Sequence, residues 1–179
     1  MDLIEKALRI MLSAHGQQKR KADDSLYVIH PLMVAKKLAR FGFGDEVIVA
    51  AMVHDVLEDT DYSEKKLRQE LGDKVVDIIM PLTENKSLEW EERKKKYIEA
   101  VRNAGPETKA VSIADKIHNL GSIIATHKEM GANIWTKFNR GKEQKMWFEW
   151  EMLKMFQATW ESPMIAEYEK LLKEVKKLD

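Results

Sequence analysis

The sequence has no cysteine and contains only four prolines and eight glycines among 179 residues. Without cysteine, the chain can form no disulfide, thiolate zinc site or iron–sulfur cluster, and it has no cysteine nucleophile. The few prolines and glycines punctuate a pattern that is otherwise helical. We therefore expect a helical fold, and any metal site must rely on histidine and carboxylate ligands.

A charge excess and long apolar runs are also missing. Thirty basic residues balance thirty acidic ones, so the formal net charge is zero. Because chains that coat nucleic acid usually carry a basic excess, we expect no nucleic-acid partner. No stretch approaches the roughly 20 apolar residues that a membrane-spanning helix needs, and the N-terminus is charged too early for a signal peptide. These absences predict a cytoplasmic protein without membrane association.

Hydrophobic residues recur at helical spacing along most of the chain. The most apolar segment, from about Asp45 to Leu57, predicts a central and buried helix. No alternating strand, internal repeat or linker is evident. We predict a single all-α domain over residues 1–179 with about eight to ten helices, in which residues 140–178 form packing helices.

The first motif with chemical potential lies at the end of this apolar segment and contains His54, Asp55, Glu58 and Asp59. Burying such groups without partners is costly, and a bound cation would compensate for it. If the helix continues, Glu58 and Asp59 lie one turn beyond His54 and Asp55, respectively. The plainer alternative is a surface histidine–aspartate pair at a helix end.

Two more segments supply candidate ligands. His30 precedes Pro31, which starts a helix and gives the histidine a fixed position, although a capping or core histidine is the alternative. Asp115 lies in an apolar helical stripe, where a structural pair with Lys116 is the alternative. The three segments together offer two nitrogens and at least two oxygens to one ion, from His30, His54, Asp55 and Asp115. Such ligands suit manganese, iron or zinc and leave positions open for water and a phosphate oxygen.

These segments resemble the HD phosphohydrolase superfamily, and more closely the hydrolase domain of RelA/SpoT homologs, in particular the small stand-alone hydrolases of the metazoan SpoT type. Residues 27–31 resemble the Tyr-x-x-His-Pro segment of that family, and residues 54–60 match its His-Asp-x-x-Glu-Asp-Thr motif. Residues 14–21 resemble its Arg-Lys entry motif, and residues 114–120 match the segment of the last metal ligand. The resemblance covers about residues 5–125, which we take as the motif-bearing core.

The resemblance implies a role for each candidate residue. Four side chains would bind the metal, with manganese expected and iron or zinc as alternatives: His30, His54, Asp55 and Asp115. Glu58 and Asp59 would position or activate the attacking water, whereas Arg20, Lys21 and Asn119 would contact the substrate. Independently, a carboxylate near a metal-bound water can accept its proton, and a basic pair can attract a polyanion. The alternative for the basic pair is a solvated run of charge.

The resemblance further implies a nucleotide substrate, namely guanosine tetra- or pentaphosphate, cut at its 3′-diphosphate to release pyrophosphate. Leu26 stands where the family usually has proline, and Gln17 and Ala22 stand where glycine is common. These departures lie near the expected nucleotide pocket. They leave open an HD-type phosphatase acting on a nucleoside monophosphate or on the 2′-phosphate of NADPH, and also a non-catalytic nucleotide sensor.

Aromatic residues concentrate in the C-terminal part of the chain. Four of the five tryptophans lie there, at Trp135, Trp147, Trp150 and Trp160. We favour a helix pair that packs across the core. In the alternatives, Asn139, Arg140 and Lys142 line the mouth of the pocket, or the aromatic residues form the face of a homodimer.

Overall fold

The computed structural model describes residues 1–20 and 24–179. Over these ranges the chain forms ten α-helices and two 3-10 helices without any β-strand, which confirms the predicted all-α fold. The α-helices are α1 (Leu3–His15), α2 (Ile29–Arg40), α3 (Asp45–Val53), α4 (Val56–Asp59), α5 (Glu64–Leu71), α6 (Asp73–Ile79), α7 (Trp90–Asn103), α8 (Pro106–Met130), α9 (Gly141–Thr159) and α10 (Pro163–Lys176). The 3-10 helices span Met80–Leu82 and Gly131–Lys137.

Several helix ends are fixed by local sequence. The carboxylate of Asp2 accepts a hydrogen bond from the backbone N–H of Ile4 at 2.8 Å and caps α1. The hydroxyl of Ser63 caps α5 through the N–H of Lys66. Gly72 separates α5 from α6 with φ of 86°, a left-handed conformation that favours glycine. These signals explain why short polar helices form at predictable places.

Helix α3 occupies the middle of the molecule. Its residues 49–53 are all buried, and it packs against α1, α2, α6 and α8. Helix α8 in turn packs against α2, α7 and α10. His54 and Asp55, which follow α3, therefore lie in the interior beside the middle of α8. No helix in the described part of the chain is long and apolar enough to cross a membrane.

The prediction of one continuous helix from about Asp45 to Leu57 is wrong, because the helix is interrupted near its end. Helix α3 ends at Val53, and α4 begins only at Val56, so His54 and Asp55 lie in a turn between two helices. The ring Nδ1 of His54 donates a hydrogen bond to the carbonyl of Ala51 at 2.7 Å, which gives a carbonyl at the helix end a partner.

One helical turn nevertheless survives beyond this break. The backbone N–H of Asp59 donates to the carbonyl of Asp55 at 2.9 Å. The predicted spacing of Asp55 and Asp59 by one turn is thus retained, whereas His54 and Glu58 belong to different elements. The turn directs His54 and Asp55 toward α2 and α8 instead of along a helix face.

The aromatic C-terminal segment packs on the core, in agreement with the favoured interpretation. Phe148 and Phe156 are buried, and the four tryptophans of the segment are partly buried against the core. Asn139 and Arg140 line a cavity whose wall also contains His54 and Asp115. The alternative in which Lys142 lines the pocket is wrong. Lys142 is not among the residues that line the cavity, and its ammonium group donates to the carbonyl of Leu178 near the end of the chain.

Candidate active site and metal centre

The four predicted ligands converge from three parts of the fold. His30 lies in the first turn of α2, His54 and Asp55 form the turn after α3, and Asp115 lies in α8. His30 Nε2 is 3.1 Å from Asp115 Oδ1 and 3.8 Å from Asp55 Oδ2. His54 Nε2 is 3.1 Å from Asp55 Oδ2 and 3.9 Å from Asp115 Oδ1. Ligand atoms of His30, His54 and Asp115 all lie within 4.8 Å of one another.

His54 provides the clearest test of whether this group fits a cation. Its Nδ1 donates to the carbonyl of Ala51, so its Nε2 is the atom that faces the cluster. That nitrogen is buried and has no hydrogen-bond partner, although Asp55 Oδ2 is close. A buried nitrogen that faces carboxylates needs a proton or a metal ion between them. The cluster therefore fits a divalent cation.

The electrostatics of the cluster favour positive charge. Burial opposes protonation of His54, but Asp55 and Asp115 outweigh burial and raise its pKa to about 9. Burial by itself would raise the pKa of Asp55, yet His54 and His30 hold it well below its ordinary value. Burial would also raise the pKa of Asp115, but Lys116 and His30 hold it well below its ordinary value. Both carboxylates are therefore ionised at neutral pH and available as metal ligands.

Two neighbouring side chains, which were not assigned a role from the sequence, orient the candidate ligands. His118 Nδ1 lies 2.8 Å from His30 Nδ1, so the two rings share a hydrogen bond that leaves His30 Nε2 facing the carboxylates. The hydroxyl of Tyr27 donates to Asp55 Oδ2. Burial and the charge of Asp55 raise the pKa of Tyr27, which keeps its proton. Both residues lie within the segments that resemble the HD phosphohydrolases, and this position is the only indication of their role in the sequence.

Asp115 is shared between the cluster and two polar neighbours. Its Oδ2 accepts a hydrogen bond from Lys116 at 2.9 Å, and its Oδ1 accepts one from the amide of Asn119 at 2.6 Å. The structural pair with Lys116 and a metal-ligating role are therefore compatible, since each uses a different carboxylate oxygen. Arg20 extends this network, because its guanidinium group donates to the carbonyl of the Asn119 side chain at 3.3 Å.

Glu58 and Asp59 are held by the loop that follows the first 3-10 helix. The backbone N–H of Glu84 donates to Glu58 Oε2 at 3.1 Å. Lys86 donates to the carbonyl of Glu58 at 2.7 Å and also bonds to the carboxylate of Asp59. Burial raises the pKa of Glu58 above its ordinary value of 4.5, and Asp55 adds to this against the effect of the Glu84 hydrogen bond. Glu84 and Lys86 were not predicted.

One cavity of about 490 Å³ joins these groups. Every predicted site residue in the described part of the chain lines it, namely Arg20, His30, His54, Asp55, Glu58, Asp59, Asp115 and Asn119. Lys21 lies outside the described residues. The structure thus brings together the candidates from four separated sequence segments.

Among the described residues, five lysines line the cavity. Three of them lie on α7, α8 and α9, and we call these the lysine wall: Lys94, Lys116 and Lys145. Lys94 lies 4.7 Å from the centre of the Phe148 ring, and Lys116 lies 5.3 Å from it. Burial lowers the pKa of Lys94, while its pairing with Glu84 opposes that decrease. Lys94 and Lys145 were not assigned a role from the sequence, because charged residues on a polar helix are equally typical of a solvated surface.

Comparison with known proteins agrees with this geometry. The sequence profile of the family described as HD domain matches residues 7–142. The chain belongs to the HD domain family. This HD domain is 31% identical over 150 residues to the mouse guanosine-3′,5′-bis(diphosphate) 3′-pyrophosphohydrolase MESH1, and the match covers 81% of this chain and 79% of that protein.

Two solved structures have the same fold as this HD domain. The crystal structure of lmo0812 from Listeria monocytogenes EGD-e is 38% identical, with a TM-score of 0.78, and the match covers 83% of this chain and 99% of that one. A metazoan ortholog of SpoT that hydrolyses ppGpp is 23% identical, with a TM-score of 0.81, over 97% and 96% of the chains. The matches with two bacterial relatives, from Aquifex aeolicus and Mycobacterium leprae, cover 73% and 67% of this chain but only 19% and 16% of those proteins.

Family membership confirms the resemblance seen in the sequence. HD domain hydrolases use divalent metal ions, and the cluster of His30, His54 and Asp115 is a group that could hold one. Its ligand types exclude no particular metal among manganese, iron and zinc.

Proposed function

We propose that this HD domain is a guanosine 3′,5′-bis(diphosphate) 3′-pyrophosphohydrolase. The observation that carries the proposal is the single cavity in which the ligand cluster, two carboxylates and several cations meet. The mouse relative bears the name of this activity. The cavity volume also lies in the range of roughly 300–1,000 Å³ that small-molecule sites occupy.

The proposed metal ligands are His30, His54, Asp55 and Asp115. Two imidazoles and two carboxylates suit a mid-series divalent ion, and we propose manganese. When bound, such an ion polarises a phosphoryl oxygen and lowers the pKa of a coordinated water. Tyr27 and His118 keep Asp55 and His30 oriented for this role through the hydrogen bonds described above.

Glu58 is the proposed proton acceptor for the attacking water. Its raised pKa brings it nearer to neutrality, where a general base combines ionisation with basicity. The N–H of Glu84 fixes one of its carboxylate oxygens. Asp59 is held by Lys86 and is proposed to orient the water or the leaving group alongside Glu58.

Arg20, Lys21 and Asn119 are the proposed substrate contacts. Arg20 is anchored to Asn119 and to the hydroxyl of Ser122, each at 3.3 Å, and its Nε is buried without a hydrogen-bond partner. A guanidinium group placed in this way can donate to phosphate oxygens and offset the charge that develops during transfer. Lys21 follows directly in sequence.

Two of the altered residues, Leu26 and Gln17, give no reason to prefer another nucleotide, and Ala22 lies outside the described residues. Leu26 is 49% exposed and does not line the cavity, and Gln17 does not line it either. The backbone of Leu26 instead pairs with Lys19 in an isolated bridge. The substitution at Leu26 therefore changes a surface turn and leaves the described cavity wall unaltered.

The test is a substrate panel with manganese in which pyrophosphate and phosphate release are measured separately. Guanosine tetraphosphate should release pyrophosphate, whereas nucleoside monophosphates and NADPH should release little phosphate. Asp55→Ala should abolish the reaction, and Asp61→Ala, which alters an exposed carboxylate of the same segment, should retain it. Phosphate release from NADPH or a monophosphate as the dominant activity would overturn the proposal.

A further inference from the structure

Glu149 is a completely buried carboxylate that the proposed chemistry does not use. Its side chain is 0% exposed within α9. One carboxylate oxygen contacts the ammonium group of Lys145, and the other accepts a hydrogen bond from Tyr168 of α10. Because a buried charge is costly unless it is paired and hydrogen-bonded, these two partners account for how the carboxylate is accommodated.

Lys145 connects this buried group to the cavity. It lies one turn before Glu149 on α9, its side chain is 19% exposed, and it lines the cavity wall. Its ammonium group is 6.0 Å from the centre of the Phe138 ring. The metal-ligand candidates come instead from α2, from the turn after α3 and from α8. Lys145 thus has a carboxylate behind it and the cavity in front.

The partners of the other wall lysines set Lys145 apart. Lys94 pairs with Glu84, and Lys116 pairs with the candidate metal ligand Asp115. Lys145 pairs with Glu149, which belongs to neither the ligand cluster nor the cavity lining. A lysine without an ion pair would lose side-chain entropy when a bound ligand orders it against the cavity wall. The ion pair fixes the cation where an anionic ligand can reach it.

We propose that Lys145 is a phosphate-binding subsite for a nucleoside 5′-diphosphate group and that Glu149 is the positioning residue that holds it in the cavity wall. This inference rests on the proposed function and deepens it. The alarmone carries two diphosphate groups, and hydrolysis occupies only the 3′ group. The 5′ group needs a cation of its own, and Lys145 supplies it from α9.

The competing account is that Glu149 serves only to join α9 to α10. Its hydrogen bond to Tyr168 does link these helices. A purely structural role predicts that loss of the carboxylate lowers thermal stability and leaves ligand affinity unchanged. A positioning role predicts that affinity falls and that the effect disappears when Lys145 is already absent.

The experiment uses guanosine 5′-diphosphate as the probe and metal-free protein, so that the 3′ chemistry is not involved. Affinity is measured by titration calorimetry for wild type, Lys145→Met, Glu149→Gln, the double variant and Tyr168→Phe. Lys154→Met and Glu151→Gln are matched controls, because these residues form an exposed ion pair on the same helix. Melting temperatures and pyrophosphate release from guanosine tetraphosphate are recorded for each protein.

We expect Lys145→Met to weaken binding by about tenfold, as loss of a charge-assisted hydrogen bond does. Glu149→Gln should weaken it in the same direction, and the double variant should bind no more weakly than Lys145→Met. Tyr168→Phe should melt earlier with unchanged affinity. Unchanged affinity in Glu149→Gln, or no binding by wild type, would overturn the inference. Binding with the expected variant pattern but without alarmone cleavage would overturn only the proposed function.

Discussion

The ligand cluster and the lysine wall line one cavity but balance their charges in opposite ways. In the cluster, two histidines and two carboxylates lie together, and the buried Nε2 of His54 has no hydrogen-bond partner. In the wall, each lysine already contacts a carboxylate, in the pairs Lys94–Glu84, Lys116–Asp115 and Lys145–Glu149. The first arrangement needs a cation to complete it. The second is complete and holds its charges in place before a ligand arrives, which is the condition for electrostatic preorganisation.

Asp115 belongs to both regions, so its substitution should have the largest effect on protein stability. Asp115→Ala should remove a ligand and leave Lys116 buried and unpaired, at a cost of about 3–5 kcal/mol in the free energy of unfolding. Asp55→Ala should cost less, because Asp55 pairs with the histidines of the cluster and its loss leaves the pair of Lys116 with Asp115 intact. Urea unfolding of metal-free protein measures both. Equal losses would show that the two regions are not electrostatically distinct.

A substitution of Glu58 tests its proposed role as proton acceptor beside the cluster. Glu58→Gln keeps the shape of the side chain but cannot accept a proton, and we expect kcat to fall about a hundredfold or more. The raised pKa of Glu58 means that the wild-type rate should decline as pH is lowered through a value above 4.5. That acidic limb should be missing in the variant, as pH–rate profiles would show. Asp61→Asn, an exposed neighbour, should keep the limb.

A substitution of His118 tests whether its hydrogen bond to His30 orients the cluster. His118→Phe removes the hydrogen bond to His30, and we expect manganese affinity to fall by about 10–100-fold, as for other groups that orient metal ligands. His127→Phe is the matched control on α8, because His127 instead pairs with Asp179. Metal titration with a competing chelator measures the difference. Equal affinity in both variants would remove His118 from the site.

The pKa of His54 leads to the smallest effect. In metal-free protein His54 retains a proton up to a pKa of about 9, and a metal ion must displace that proton. Apparent metal affinity should therefore rise about tenfold per pH unit toward pH 9 and level off above it. Calorimetry in buffers of different ionisation enthalpy should show one proton released at neutral pH. A flat pH dependence would contradict the assignment of His54 as a ligand.

Much of this site was predictable from the sequence because its residues stand in motifs. His30, His54, Asp55 and Asp115 occur in segments whose polar residues interrupt apolar helical patterns, and such interruptions need a physical reason. The helix bounds followed from caps and breakers such as Ser63 and Gly72. The break at His54 was missed, because nothing in the local pattern distinguishes a turn from a continuing helix there.

The sequence by itself determined the helical elements and the types of candidate ligand, since hydrophobic spacing and residue chemistry are local properties. Only the tertiary structure decided which side chains support the site. The contacts of Glu58 with Glu84, of His30 with His118 and of Glu149 with Tyr168 join distant segments. They depend on how α2, α4, α8, α9 and α10 pack, and the packing partner of a charged side chain is not encoded in its own neighbourhood.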